Sequence, residues 1–140
     1  MSDSLASIKV HLVFGTKERV PWLTPDIRGE CYQRLAALAR KSGSKVYEIG
    51  GVCDHVHILL TLPKTLSIAK LVEVLKSTTA KWLKGQRLEL ESFCWQSGYG
   101  AFSVSESQVE RVRQYIRNQE AHHQKVSFQN EFDRIARSNG

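Results

Sequence analysis

The sequence lacks several features that mark whole classes of protein. It has no apolar run of about 18 residues long enough to cross a bilayer, and its N-terminus lacks the charged and apolar stretches of a signal peptide. Its three cysteines, Cys31, Cys53 and Cys94, are an odd number without CxxC spacing, which argues against a disulfide framework or a cysteine zinc site. We therefore expect a soluble, intracellular protein whose cysteines are core or half-buried residues.

The composition fits one basic domain. The 140 residues are 41% hydrophobic, enough for one core but too few for a second independent one. The formal net charge is +6 and the isoelectric point is near 9.4. A basic excess attracts polyanions and is common in nucleic-acid-binding domains, although many basic domains carry only solvated Lys and Arg.

The hydrophobic pattern predicts six elements in the first 105 residues. Alternating or continuous apolar runs predict strands, and apolar residues at helical spacing predict helices. The predicted elements are a strand over 8–14, a helix over 26–41, strands over 45–52 and 56–62, a helix over 67–84 and a strand over 99–104. This order is typical of an α+β, ferredoxin-like (βαββαβ) fold, with two helices on one face of an antiparallel sheet and the other face open for a site.

A further helix follows the predicted sheet. Ser105 and Gln108 have the spacing of a capping box that begins a helix over about 106–124. A short terminal helix is expected over 128–136, within a C-terminal tail of residues 125–140. We predict a single domain over 1–140, with a sheet core over about 6–105.

Two histidines alternate in the third predicted strand. In His55-Val56-His57 the strand period of two directs both imidazoles to one face, with their Cα atoms roughly 6.5 Å apart. Two nitrogen ligands on one rigid element can share a metal ion. The pattern is loose by itself, because two half-exposed strand histidines would have the same spacing.

Tyr115 and Gln119 lie four residues apart on the last long helix. They border an apolar stripe of Val109, Val112 and Ile116, so a phenol and a carboxamide project from the edge of the packing face. Taken alone, this pair is better explained by two side chains that pack their stems at a helix boundary.

Together the two elements have the parts of a phosphoryl-transfer site. A divalent cation neutralises and orients a phosphodiester, and two imidazoles with an amide leave that cation its full charge. Tyrosine, with a free pKa of ~10, is a poor nucleophile unless the field of a cation favours the phenolate. The product of its attack would be a covalent phosphotyrosine.

Four motifs in order resemble one known family. They are His11-Leu12-Val13-Phe14 followed by Thr16-Lys17, then His55-Val56-His57, then residues 95–105, and finally residues 115–119 followed by His122-His123. Together they resemble the small single-tyrosine HUH transposases of bacterial insertion sequences, over nearly the whole chain.

The resemblance implies a role for each site residue. By it, His55, His57 and Gln119 bind Mg²⁺ or Mn²⁺, and Tyr115 is the nucleophile that cleaves single-stranded DNA, leaving a 5′-phosphotyrosine and a free 3′-OH. It also implies recognition of DNA hairpins at the element ends and a homodimer in which the tyrosine helix of one subunit can complete the site of the other. The location implied is the bacterial or archaeal cytoplasm, in association with DNA.

Other residues and functions remain as alternatives. Tyr99, between two glycines, is the main competitor for the nucleophile, although those glycines favour a structural role. His122 or His123 is a weaker metal candidate, His11 is expected to be structural, and Asp54 is expected to point away from His55.

The rival functions are a domesticated or non-catalytic single-stranded nucleic-acid-binding module, and a phosphoesterase that uses two histidines as acid and base. Basic residues on the second long helix and just after it are compatible with DNA backbone contacts and equally with a solvated helix face: Lys70, Lys76, Lys81, Lys84 and Arg87.

Overall fold

The chain folds around a four-stranded antiparallel sheet. The computed structural model describes residues 5–122 and 128–139. The elements are β1 (Lys9–Gly15), α1 (Pro25–Lys41), β2 (Val46–Val52), β3 (His55–Thr61), α2 (Ile68–Lys84), β4 (Gly100–Ser103), α3 (Val109–Arg117), α4 (Gln119–His122) and α5 (Phe128–Asn139). The strand order is β2-β3-β1-β4. The predicted α+β, ferredoxin-like fold is therefore confirmed.

The two helices α1 and α2 cover one face of the sheet. Alternate residues of β1 and β3 enter the core on this side, where they pack with α1 and α2: Val10, Leu12, Phe14, Val56, Ile58 and Leu60. Pro25 begins α1, where a missing N–H has no cost, and the Ser67 side chain caps α2 by accepting from the Lys70 N–H. Cys31 is part of this core, whereas Cys53 is half-buried and Cys94, against expectation, is exposed.

The other face carries the remaining helices, so it is not open as the sequence suggested. The predicted helix over 106–124 is divided: a 3₁₀ turn over Glu106–Gln108 precedes α3, and Asn118 separates α3 from α4. The predicted capping box is not formed, because the Ser105 side chain makes no cap hydrogen bond. Among the described residues, no helix is long and apolar enough to cross a membrane.

The backbones of α3 and β2 are in close contact. A Cβ built at Gly50 would come within 2.6 Å of the Ile116 carbonyl oxygen, so only glycine permits this approach. Glu48 of β2 forms ion pairs with Arg113 and Arg117 of α3, at 3.4 and 2.9 Å. The helix that carries Tyr115 is thus docked on the sheet of its own chain.

Candidate metal and nucleophile site

The two histidines of β3 lie buried on the face that α3 and α5 cover. His57 is paired in register with Val13 of the central strand β1, and His55 with Gly15. Both imidazoles have no exposed surface. The strand period therefore brings them to one face, and the sheet hydrogen bonds on both sides of β3 fix their backbones.

Each histidine has a partner at Nδ1 that orients its ring. His55 Nδ1 lies 2.8 Å from Asp54 Oδ1, which can only accept, so this nitrogen carries a proton. His57 Nδ1 lies 2.8 Å from Nε2 of His11. The expectation that Asp54 points away from His55 is wrong, because Asp54 lies in the turn before β3 and its side chain does not follow the strand alternation. In both histidines Nε2 is the nitrogen that faces the other site residues.

Tyr115 and Gln119 meet the histidine pair. The Tyr115 ring lies 5.7 Å from the His57 ring, centroid to centroid, in an edge-to-face arrangement. Gln119 is buried, with Oε1 3.3 Å from His55 Nε2, and its amide N–H donates to the Tyr115 carbonyl at 3.3 Å. The structure thus brings together His55, His57, Tyr115 and Gln119.

Glu131 of α5 is the residue that sequence reasoning missed. One carboxylate oxygen, Oε1, lies 3.1 Å from His55 Nε2 and 2.9 Å from His57 Nε2, and the other, Oε2, accepts a hydrogen bond from the Tyr115 hydroxyl. This carboxylate is fully buried. A signal was present in the sequence, because Glu131 stands one turn before Ile135, on the apolar side of an amphipathic helix, where a carboxylate needs partners.

The protonation states follow from these contacts. Burial alone would raise the pKa of Glu131, but the hydrogen bonds from His55 and His57 hold that pKa well below its ordinary value. Burial alone would lower the pKa of His55, yet hydrogen bonds to Asp54 and Glu131 raise it. Burial, together with the nearby charge of His57, lowers the pKa of His11 to about 3. Glu131 is therefore anionic and His11 neutral near pH 7.

Tyr115 is held as a neutral phenol in this arrangement. Burial raises its pKa, and the hydrogen bond to Glu131 and the charge of that carboxylate raise it further. The positive charge of Arg134 acts in the opposite direction. Activation of the phenol therefore needs additional positive charge near the hydroxyl.

The donor set fits a small divalent cation. The ligand atoms of His55, His57 and Glu131 all lie within 4.8 Å of one another, and Gln119 Oε1 is adjacent. Adjacent ligands in an octahedral site with bonds of 2.0–2.1 Å are about 3 Å apart, close to the separations of 2.9–3.3 Å found here. Imidazole nitrogens together with amide and carboxylate oxygens can hold a divalent cation.

Other residues considered from the sequence lie elsewhere. Tyr99 is exposed in the segment before β4. His123 and the side chain of His122 lie outside the described part of the chain. On α2, the Lys76 ammonium donates to the carbonyl oxygens of Gln96 and Gly98. That lysine supports the loop before β4.

Comparison with known proteins identifies similar chains. A family model described as "Transposase IS200 like" matches residues 4–119. The ISDra2 transposase TnpA of Deinococcus radiodurans is 25% identical over 117 residues, which are 80% of this chain and 84% of that protein.

Two solved structures have a similar fold. One, a Deinococcus radiodurans R1 protein described as a transposase, has a TM-score of 0.66 and 23% identity over 85% of this chain and 95% of its own. The other is a REP-associated tyrosine transposase bound to a REP hairpin. It has a TM-score of 0.65 and 13% identity, and the match covers 90% of this chain and 76% of that one. The residues that the family model matches end before α5.

Proposed function

Because the chain belongs to the family of IS200-like transposases, we propose that it cleaves and rejoins single-stranded DNA by transesterification, with Tyr115 as the nucleophile. One observation carries this proposal. The Tyr115 hydroxyl lies on the histidine face of the sheet and shares the buried Glu131 carboxylate with both histidines. A phenol beside a set of metal-binding groups is the arrangement that tyrosine phosphoryl transfer needs.

His55, His57 and Gln119 would hold Mg²⁺ or Mn²⁺, and Glu131 adds a carboxylate to that set. A bound cation supplies the positive charge that neutralises a phosphodiester and lowers the pKa of a nearby phenol. Asp54 and His11 keep the Nε2 atoms of the two histidines directed at one point.

The attack of Tyr115 on a phosphodiester exchanges one P–O bond for another. The Tyr115 oxygen forms a bond to phosphorus, and the bond between phosphorus and the 3′ oxygen breaks. The phenol proton leaves along the hydrogen bond to Glu131 Oε2 and is passed on through water to the departing 3′ oxygen, so that no proton is gained or lost overall. The products are a 5′-phosphotyrosine and a 3′-OH, and the reverse reaction with another 3′-OH rejoins a strand.

The proposed partners are DNA hairpins and a second copy of the chain. The hairpin is supported by the similar transposase that is bound to a REP hairpin, and the homodimer by the resemblance of the motifs. The net charge of +6 favours binding of any DNA backbone without reading its sequence.

A covalent-adduct assay tests the proposal. Purified protein is incubated with Mn²⁺ and labelled single-stranded oligonucleotides from the DNA that flanks the gene, and the products are separated on a denaturing gel. We expect a protein–DNA adduct that EDTA, Tyr115→Phe or His57→Ala abolishes, with Tyr99→Phe as the matched control that retains it.

Other results would identify the rival functions. Tight hairpin binding without an adduct would indicate a non-catalytic or domesticated binder. Metal-dependent cleavage that persists in Tyr115→Phe would exclude Tyr115 as the nucleophile and favour a phosphoesterase that uses water.

A further inference from the structure

A cleft of about 660 Å³ adjoins the Tyr115 side chain. One wall is β4 with the residues that follow it, including Phe102 and Ser105. The opposite wall is α3, with Arg111 and Tyr115, and α5 completes the cleft with Arg134. His11 and Tyr115 lie at the end of the cleft nearest the metal-binding groups.

The cleft is positively charged. Arg111 and Arg134 are exposed and line it from two different helices, and none of the described residues that line it is acidic. Guanidinium groups match phosphate oxygens in geometry and charge, and the half-buried Phe102 ring offers a surface on which a base can stack. These are the groups that recognise single-stranded nucleic acid without reading its sequence.

Of the two arginines, Arg134 is the better placed to contact a phosphate near Tyr115. It follows Glu131 by three residues on α5, so the same helix face carries the buried carboxylate and this cation. The positive charge of Arg134 lowers the pKa of the Tyr115 phenol. The ring of Phe132 meets that of Phe102 at 6.2 Å, edge to face, and so fixes α5 against β4.

We propose that this cleft binds the single strand next to the scissile phosphate and that Arg134 contacts a phosphate there. The inference rests on the proposed transesterification, and it gives a role to α5, which lies beyond the family match to residues 4–119. The guanidinium stays protonated throughout and only binds, so the bonds made and broken at Tyr115 are unchanged.

The first test measures binding and does not depend on catalysis. The probe is fluorescein-labelled dT12, and its Kd for the full-length protein is measured by anisotropy from 50 to 300 mM NaCl. We expect Arg134→Gln to reduce the slope of log Kd against log salt by about 0.7, the value for one phosphate contact with a single strand. Arg134→Lys should restore the slope, because lysine keeps the charge.

Arg40→Gln is the matched control. It removes the same charge from an exposed arginine of α1, on the opposite face of the sheet. Equal slopes for Arg134→Gln and Arg40→Gln would overturn the proposal. Circular dichroism of each variant, which we expect to match that of the parent, excludes unfolding as the cause.

The rate of adduct formation at saturating oligonucleotide separates this inference from the proposed function. We expect about a tenfold or greater loss in Arg134→Gln, which corresponds to one charged hydrogen bond to the neighbouring phosphate that positions the strand for attack by Tyr115. A parent protein that forms no adduct, but whose salt slope depends on Arg134, would refute the transesterification and leave the cleft as a binding site. If the parent protein forms the adduct, and Arg134→Gln changes neither the rate of adduct formation nor the salt slope, only the proposal for the cleft would be refuted.

Discussion

Among single residues, the site is a chain of ionisable groups that are buried except for the half-buried Asp54. Asp54, His55, Glu131, His57 and His11 are linked by contacts of 2.8–3.1 Å. Buried charges are tolerated when they are paired and hydrogen-bonded, and removing one partner leaves the other uncompensated. The protonation of this site is therefore coupled to the stability of the fold.

His11 makes the stability depend on pH in a predictable direction. Its pKa is about 3 in the folded chain and 6.5 in the unfolded chain, so between these values the unfolded state binds the extra proton. The contribution of neutral His11 to the free energy of unfolding is fully present above pH 6.5 and is lost as the pH falls. At pH 5 we expect the parent protein to have lost about 2 kcal/mol from this residue.

The measurement compares the parent protein with His11→Gln by urea unfolding in EDTA at pH 7.5 and 5.0. Glutamine does not titrate, and its amide can reach His57 Nδ1. His57, Glu131 and Tyr115 also face His11 and contribute in both proteins, so the difference between them isolates His11. An equal loss of stability in the two proteins would show that His11 is protonated in the folded state.

At the scale of elements, the position of Tyr115 depends on how α3 packs on β2. The Ile116 carbonyl lies against Gly50, the Glu48 ion pairs fix two arginines of α3, and Arg28 of α1 pairs with Glu120 of α4 at 2.7 Å. Ion pairs that are partly exposed to solvent are worth little, so the close backbone approach at Gly50 is the more important of these contacts.

Gly50→Ala should displace α3. The added Cβ would lie 2.6 Å from a backbone oxygen, which cannot move without the helix, and such overpacking costs about 1–3 kcal/mol. We expect lower stability in urea and weaker adduct formation. Gly29→Ala is the matched control, because nothing lies within 4 Å of its Cβ in α1 and alanine there should stabilise by up to about 1 kcal/mol. Unchanged adduct formation in Gly50→Ala would show that α3 reaches its position by other contacts.

At the scale of the whole molecule, one chain contains every group of the proposed site. The sheet separates a purely structural face, covered by α1 and α2, from a face on which α3, α4 and α5 surround the histidines. The homodimer remains a prediction of the resemblance, and exchange of tyrosine helices is not needed to complete a site in this arrangement.

A mixture of inactive variants distinguishes the two modes of assembly. Tyr115→Phe and His57→Ala are each expected to form no adduct. If each site is completed within one chain, their mixture should remain inactive after co-incubation or co-refolding. An adduct that approaches a quarter of the parent level in the mixture would show that the helix of one subunit serves the histidines of another.

Local sequence patterns were enough to predict the fold and two pairs of residues in the candidate site. Periodicity predicted all four strands and the first two helices to within one residue at every end, because each element has a strongly apolar side. The same local rules placed His55 with His57, and Tyr115 with Gln119. Local rules were wrong at the ends of elements: the last long helix divides at Asn118, and Asp54 lies in the turn before β3 and does not follow the strand alternation.

Packing between distant parts of the chain brings these two pairs and the other site residues together. His57 and Glu131 are 74 residues apart, and His11 and His57 are 46 apart, so no local pattern relates them. The packing of α5 against β4 brings a carboxylate to the histidines and an arginine to the cleft beside Tyr115. The physical reason is that a period defines which side of an element is buried, whereas the partner it is buried against depends on how the whole chain packs.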